Sequence, residues 1–463
     1  MDTSWAQEMK KIIFLLFLLL PFLIIKIANN SIRLSDTNIY FNIASQISQG
    51  KVLYKDIFFS NFPVFSYISS FYYTLTGKNI ELFYFTSSIE TAIITSLIYF
   101  ITYKQTKNYI ISMLSSSLYI FSLMVLSTSD HQTGVFTAVL FAVLSYLFLQ
   151  ERKTVLSGIF IALSIFTKAY FLPIFVSFFA FLLIKREWKH LLKFSVSFAA
   201  TGLIVLSPFL IQAPQQLFSD IFGFSLTRPT GLSKINIAWF YITKDFPLFI
   251  MLLFNIFNIR KNVLFGLISI FSIIFFFAYQ DVYYLYLNFL TPFLCLSFYE
   301  IYYFLKSKFN PQRLVISTII LFFLLLNLTT YISNYRNLGK VEDINRIIKT
   351  IKDQNPNFLY GVNDITPALL SLTNIPALDN VNDAHEYFFT RGLYDKKLLT
   401  DKAIKTKTII ITHGANYPDY NVREDILDNI FVKENIYKNC EIILSVPAIS
   451  EGDANRINLF KCY

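Results

Sequence analysis

Apolar runs close to the length of a bilayer span recur from the amino terminus to about residue 332 and then stop. They fall roughly at 11–28, 82–103, 109–128, 133–150, 154–167, 169–184, 194–212, 246–259, 263–278, 285–305 and 314–332. A hydrocarbon core of about 30 Å is crossed by about 20 apolar residues of helix, so each run predicts a helix in or across a bilayer. The runs 154–167 and 169–184 are short, and Pro173 sits beside their junction, which predicts a tight hairpin of tilted or broken helices. Beyond Ser333 the pattern becomes that of a soluble domain. Residues 341–354 place Ile344, Ile347, Ile348 and Ile351 on one helical face, and short apolar runs follow at 358–362, 408–412, 442–446 and 457–460. The pattern thus predicts a membrane module over 1–332 and a small α/β domain over 333–463.

Composition closes off the other classes. Of 463 residues, 54% are hydrophobic and only 15% are charged, and the 51 Phe outnumber the 40 Lys and Arg. Soluble chains carry about a quarter of their residues as charges and do not enlarge one core this far. A polytopic α-helical membrane protein remains.

The net charge of +10 is unevenly distributed. Residues 1–332 carry 24 Lys and Arg against 13 Asp and Glu, whereas 333–463 carry 16 against 17. The excess therefore sits in the short connections of the membrane module. Lys10 and Lys11, Lys104 and Lys107, Arg152 and Lys153, Lys185 to Lys193, Arg260 and Lys261, and Lys306 to Arg313 all fall on one side. The positive-inside rule makes that side the cytoplasm. The other side then receives the first outer loop 29–81, the loop 213–245 and everything after 332, which demands an odd number of spans. Eleven helices, with the amino terminus inside and the carboxyl-terminal domain outside, satisfy both charge and hydropathy. The first run is read as a retained anchor, because Ile27-Ala28-Asn29-Asn30 is a poor cleavage site. No basic stripe with interleaved aromatics exists on a polar segment, so nucleic acid is not a partner.

Only three Cys occur. If 441–446 and 456–461 pair as antiparallel strands, Cys440 faces Cys462, and a bridge or two free thiols both remain open. The four His, at 131, 190, 385 and 413, have no metal-ligand spacing.

Candidate chemistry concentrates in the first outer loop. Asp36 follows the first run, and Tyr40, Ile43, Ala44 and Ile47 continue at helical spacing until Gly50, which predicts a helix lying along the membrane surface. Residues 65–75 predict a second, aromatic-rich interfacial helix. An acid at the outer face beside aromatic surface suits chemistry on a lipid-linked substrate.

The series Asp36, Tyr40, Gly50, Tyr54-Lys55-Asp56, Pro63 and Gly77 resembles the first outer loop of the GT-C glycosyltransferases. Within that superfamily it is similar to the protein O-mannosyltransferases, the lipid A aminoarabinose transferases and the lipopolysaccharide galacturonosyltransferases. Gly158 to Lys168 resembles a Gly-containing span ending in Thr-Lys, and Asp281-Val282-Tyr283-Tyr284 with Pro292 resembles a late span. Two positions depart from the relatives. Thr37 stands where protein mannosyltransferases have a second acid, and Asn61-Phe62-Pro63 stands where aminoarabinose transferases have Lys-Pro-Pro.

The resemblance implies transfer of a sugar from a polyprenyl-phosphate donor to an acceptor hydroxyl of a lipid, glycan or protein, at the outer face of the cell membrane and with inversion. Asp36 would be the general base and Asp56 a second catalytic acid. Lys168, Arg228 and Lys55 would hold the donor phosphate. Tyr40, Tyr54, Asn61, Asp130, His131, Asp281 and Tyr284 would line the substrate groove. No cofactor is implied; the superfamily has members with and without a divalent metal, and both stay open here. Each residue has a plainer structural reading beside this one: Asp36, Asp56 and Asp130 as caps, Lys168 as a snorkelling side chain, Arg228 as a solvated charge. Glu90 and Glu300 lie inside runs, where an ionisable group needs a partner. A lipid-linked sugar flippase and an O-antigen-polymerase-like protein are the alternatives, and neither explains polar candidates clustered at one face as directly.

Overall fold

The computed structural model describes residues 3–224, 231–309, 313–413, 429–448 and 456–462. The chain packs as two compact units, one of Met1–Asn29, Ser60–Phe65 and Phe85–Arg336, the other of Asn30–Phe59, Ser66–Tyr84 and Asn337–Tyr463. The boundary expected at 332/333 moves to 336/337. A larger correction concerns the first outer loop, assigned by sequence to the membrane module: most of it packs with the carboxyl-terminal residues.

In the first unit each predicted apolar run contains a helix. Thr3–Ala28, Ile80–Thr106, Val135–Gln150, Thr154–Thr167, Trp188–Gln212, Phe246–Phe257, Val263–Ala278 and Arg313–Thr330 are unbroken. The run 109–128 breaks into Tyr109–Ile120 and Leu123–Thr128, and 3-10 turns at Ala169–Phe171 and Tyr284–Phe289 precede Leu172–Ile184 and Thr291–Phe309. Among the described residues, three helices are long and apolar enough to cross a bilayer alone: Ile80–Thr106, Trp188–Gln212 and Ser317–Tyr335. A bent pair, Lys234–Lys244 and Phe246–Phe257 at 105°, would make a fourth crossing, and six more apolar helices have 10–17 residues.

Small residues set how closely these helices approach. A Cβ at Gly158 would lie 2.0 Å from Ser197 Oγ and 2.4 Å from the Phe194 carbonyl oxygen, so Thr154–Thr167 and Trp188–Gln212 meet backbone to backbone. On its other side Thr154–Thr167 is tied to Val135–Gln150: Ser145 Oγ donates to the Ser157 carbonyl and Ser164 Oγ to the Ala138 carbonyl, both at 2.8 Å. Gly158 is therefore explained by packing. At one end of the unit Lys104 and Lys153 both pair with Glu151, at 2.8 and 2.7 Å, and Arg152 lies 3.9 Å from Glu187. Three of the connections that the charge rule grouped do meet there.

The buried charges Lys26, Glu90 and Asp245 of this unit are partnered, as a low-dielectric interior requires, whereas hydroxyls such as Ser116 and Ser269 are buried without a hydrogen-bond partner among the described residues. Lys26, 2% exposed, lies 2.7 Å from Asp130 Oδ1 and donates to Tyr331 Oη at 3.1 Å and to the Leu126 carbonyl. Tyr331 Oη in turn donates to Asp130 Oδ2 at 2.7 Å, and its ring lies 4.2 Å below the Lys26 ammonium. Glu90, 2% exposed, accepts from Gln132 Nε2 at 3.1 Å and from Thr137 Oγ1. Asp245, at the bend between Lys234–Lys244 and Phe246–Phe257, accepts from the Leu123 and Met124 amides at 2.8 and 3.0 Å and from Asn327 Nδ2 at 3.1 Å. It holds the start of Leu123–Thr128, where the run 109–128 breaks.

The second unit contains a four-stranded sheet: β1 (Phe358–Gly361), β2 (Thr408–His413), β3 (Glu441–Pro447) and β4 (Arg456–Cys462), in the order β1-β2-β4-β3. β1 and β2 are parallel, and β4 pairs antiparallel with both β2 and β3. The four runs read as strands from sequence are these four strands. Helix Ile344–Gln354 buries Ile347 and Ile351 completely, as its periodicity predicts. Glu441 lies opposite Lys461, which brings Cys440 to Cys462, and the two are bridged. The strand-pairing expectation holds, with the bridge as its outcome.

Helix Thr37–Ser48 does not lie as an open amphipathic helix along a surface. Nine of its residues are buried, Asn38, Asn42, Ser45 and Gln46 among them, and it packs against Thr366–Thr373. The physical reason is that its polar side chains find partners there. Ser371 Oγ donates to Asn42 Oδ1 at 2.9 Å, and Asn42 and Gln46 both donate to Asn382 Oδ1, at 3.3 and 2.9 Å. Helix Val64–Leu75 does keep an exposed apolar stripe, with Tyr67, Phe71 and Leu75 at successive turns.

Two outcomes test this packing. The bridge closes a separation of 22 residues, so Cys462→Ser is expected to lower stability by about 3 kcal/mol, read as a lower denaturation midpoint that reduced wild type shares. An unchanged midpoint would mean that the bridge restrains nothing. Lys26→Met leaves Asp130 without its cation and is expected to cost about 3–5 kcal/mol, whereas Lys26→Met with Asp130→Leu should recover most of the loss. Strictly additive losses in thermal melts of the two single variants and the double variant would contradict a coupled pair.

Candidate active site

The sequence-predicted residues fall into two groups, one in each unit. In the second unit, the segment that carries Asp36 is fixed from several directions. The Arg33 backbone bridges to Lys340, the Leu34 amide donates to the Gly339 carbonyl at 2.8 Å, and the Ser35 amide donates to the Asp364 carbonyl at 3.1 Å. Asn38 is fully buried and donates through Nδ2 to the Arg33 carbonyl at 2.7 Å and to the Asp364 carbonyl. Tyr84 Oη donates to the Arg33 carbonyl and to Asn38 Oδ1, each at 3.1 Å. Arg33, 2% exposed, donates through Nη1 to the Leu338 carbonyl at 2.9 Å.

Asp36 is the exception in this knot. Its carbonyl starts the helix by accepting from the Ile39 and Tyr40 amides at 3.0 and 3.3 Å, but its side chain caps nothing. The carboxylate is exposed and has no hydrogen bond to the described residues. A cap would spend the carboxylate on an amide; here it stays available. Thr37, at the position where some relatives carry a second acid, is fully buried, and its Oγ1 accepts from Ser35 Oγ at 3.0 Å. A carboxylate there would be desolvated.

Asp56 is used differently. Its Oδ2 accepts from the Val52 amide and its own amide donates to the Val52 carbonyl, both at 2.9 Å, so it closes the loop that carries Tyr54 and Lys55. Tyr54 has φ +65°, an uncommon conformation for an aromatic residue, and is 3% exposed. The rings of Tyr40 and Tyr54 both lie against Phe59, at 6.2 and 6.4 Å between centroids. Tyr40 and Tyr54 are thus brought together on one buried aromatic surface, and Lys55 points to solvent.

In the first unit Lys168 is half-buried at the break between Thr154–Thr167 and Ala169–Phe171, in extended backbone. Asn61 is half-buried in the same unit, beside buried Pro63. The Asp130 carboxylate is engaged with Lys26 and Tyr331, so the expectation that it lines a groove meets a structural use. His131 is half-buried, and its carbonyl accepts from Ser87 Oγ at 3.2 Å. Asp281 is 4% exposed beside the backbone pairing of residues 280–282 with 231–232, and Tyr284 packs on Phe240 at 4.8 Å. Arg228 lies outside the described residues.

Sequence reasoning missed several residues. Arg33, Asn38, Asp364 and Tyr84 hold the Asp36 segment, and His413 Nδ1 lies 2.9 Å from Asp364 Oδ2. Asn38 and Asp364 are 326 positions apart, so no local pattern could join them. A buried Lys within an otherwise apolar run was the one available signal for Lys26. Among the described residues no three His, Cys, Asp or Glu side chains converge to hold a metal ion.

Residues 60–212 match the family model of dolichyl-phosphate-mannose-protein mannosyltransferases. No curated protein matches the sequence. Among solved structures, ArnT from Cupriavidus metallidurans bound to undecaprenyl phosphate matches with a TM-score of 0.67 at 12% identity, over 99% of this chain and 98% of that one. The apo form of the same protein gives 0.66, also at 12% identity and over the same shares. The Archaeoglobus fulgidus oligosaccharyltransferase, in complex with zinc and sulfate, gives 0.53 at 13% identity, over 86% of this chain and 68% of that one. By its matched segment and by its fold, this chain is similar to the GT-C glycosyltransferases, as its first outer loop led us to expect.

Proposed function

We propose that this protein transfers a sugar from a polyprenyl-phosphate donor to an acceptor hydroxyl, with inversion, at the outer face of the cell membrane. The observation that carries the reading is the Asp36 carboxylate, exposed and without a hydrogen bond among the described residues, on a segment otherwise fixed by Arg33, Ser35, Asn38 and Tyr84. Rigid support under one unspent acid is what a general base needs. The similarity to a fold solved with undecaprenyl phosphate supports a lipid-phosphate donor.

In the proposed reaction the acceptor oxygen attacks the anomeric carbon while Asp36 takes its proton. The bond from that carbon to the phosphate oxygen breaks, and the polyprenyl phosphate leaves with the electron pair. One displacement gives inversion. The charge that grows on the leaving phosphate is met by cations, for which Lys168, Lys55 and Arg228 are the candidates. Tyr40 and Tyr54, buried on Phe59, would support the substrate groove from beneath. Asp56 takes a supporting role through the loop it closes. The acceptor, whether lipid, glycan or protein, is met at the same carboxylate. The cytoplasmic amino terminus and external carboxyl-terminal residues follow from the charge distribution.

Asp36→Asn is expected to lower turnover with a polyprenyl-phosphate sugar by about 10²–10⁴-fold without shifting the thermal melt, because its side chain bonds to nothing described. Turnover within a fewfold of wild type would remove Asp36 from the mechanism.

A further inference from the structure

The first unit contains a cavity of about 250 Å³ at the end where the Lys- and Arg-rich connections meet. Its polar wall is Gln105, Gln150, Lys185, Arg260, Lys261 and Asn262. These residues come from two helix ends and two connections, so the fold and not one stretch of sequence assembles them. Tyr146 and Tyr299 add ring surface; Gln105 Nε2 donates to Tyr146 Oη at 3.0 Å, which orients that amide. Phe181, Val263, Leu264 and Phe265 complete the lining. Among the described residues no carboxylate borders the cavity; Glu300 lies beside Tyr299 but is not part of the lining.

Charge is the informative feature. Nearby cations at this end are neutralised, Lys104 and Lys153 on Glu151 and Arg152 near Glu187. Lys185, Arg260 and Lys261 have no ion-pair partner among the described residues; Lys185 contacts only the Phe181 ring, at 6.0 Å. Three like charges around one concave space repel one another and focus a positive potential into it. Helix Val263–Ala278 also begins at this wall, and its N-cap Asn262 makes no side-chain cap, so uncapped amides of the first turn add to that potential. Polar donors and an apolar edge, together at a helix-bundle end, match an amphiphilic anion.

We propose that this cavity binds a phosphate anion, carried by a lipid headgroup or free in solution. The site is independent of the proposed transferase activity: it uses none of the residues assigned there. A volume below the roughly 300–1,000 Å³ of drug-sized sites suits a headgroup or a small anion. Basic connections beside a bilayer meet anionic lipid as their commonest counter-charge.

The test uses the full-length protein in detergent and native mass spectrometry with dioleoylphosphatidylglycerol against dioleoylphosphatidylcholine, alongside melting with inorganic phosphate. Preferential retention of phosphatidylglycerol assigns the anion to a headgroup, and stabilisation by inorganic phosphate assigns it to solution. Each of Lys185→Gln, Arg260→Gln and Lys261→Gln is expected to weaken that binding about fivefold, and the triple variant about a hundredfold. Lys189→Gln with Lys193→Gln, in the first turns of the following helix Trp188–Gln212 and outside the lining, should change neither. These exposed substitutions are also melted without any probe, and Lys261→Arg should retain binding if charge is the cause. Equal retention of the two lipids with no phosphate effect would overturn the proposal. So would a loss of binding as large in the Lys189 and Lys193 control.

Discussion

A helix as polar as Thr37–Ser48 can be buried only if its side-chain amides are answered, and that constraint organises the second unit. Asn38, Asn42 and Gln46 would each cost about 1–3 kcal/mol if buried unpaired. The Asp364 carbonyl, Ser371 and Asn382 supply their partners. Because those partners come from the carboxyl-terminal part of the chain, the first outer loop must pack with it. The same knot positions Asp36 at the helix start with its carboxylate unspent. Satisfying buried polar groups and leaving one carboxylate exposed and uncapped are thus two results of a single arrangement.

The first unit meets the same constraint with different means. Its helices are largely apolar, so the few buried charges decide local structure. Lys26 and Asp130 are held with Tyr331, Glu90 with Gln132 and Thr137, and Asp245 with two amides and Asn327. The Asp245 contacts fall where the run 109–128 breaks into two helices, which turns a break in hydrogen bonding into a satisfied junction. Gly158, whose place in a Gly-containing span suggested a motif, serves the backbone contact with Trp188–Gln212.

Local signals carried much of this architecture. Apolar runs located a helix in each of eleven places, alternation located four strands, and strand pairing brought Cys440 to Cys462. Register along one strand pair is a local property, so it can be read from sequence. The linear division at 332 could not reveal that residues 30–59 pack with the carboxyl-terminal part, because those contacts span some 300 positions. The surface-helix reading of 37–48 failed for a related reason: apolar spacing reports one buried face and is silent on polar residues buried by partners elsewhere. Asp36 was legible through its place after the first run and its resemblance to the GT-C loop. Arg33, Asn38 and Asp364, which hold it, carry no local signature.

The central claim is transfer from a lipid-phosphate carrier, and the fate of the carrier tests it most directly. Purified protein in liposomes would be given an undecaprenyl-phosphate sugar labelled in both lipid and sugar, with a nucleotide sugar as the competing donor. The account predicts free undecaprenyl phosphate in step with a glycosylated product of inverted configuration, and no use of the nucleotide sugar. Intact lipid-linked sugar that merely changes leaflet, or product formed from the nucleotide sugar alone, would contradict it.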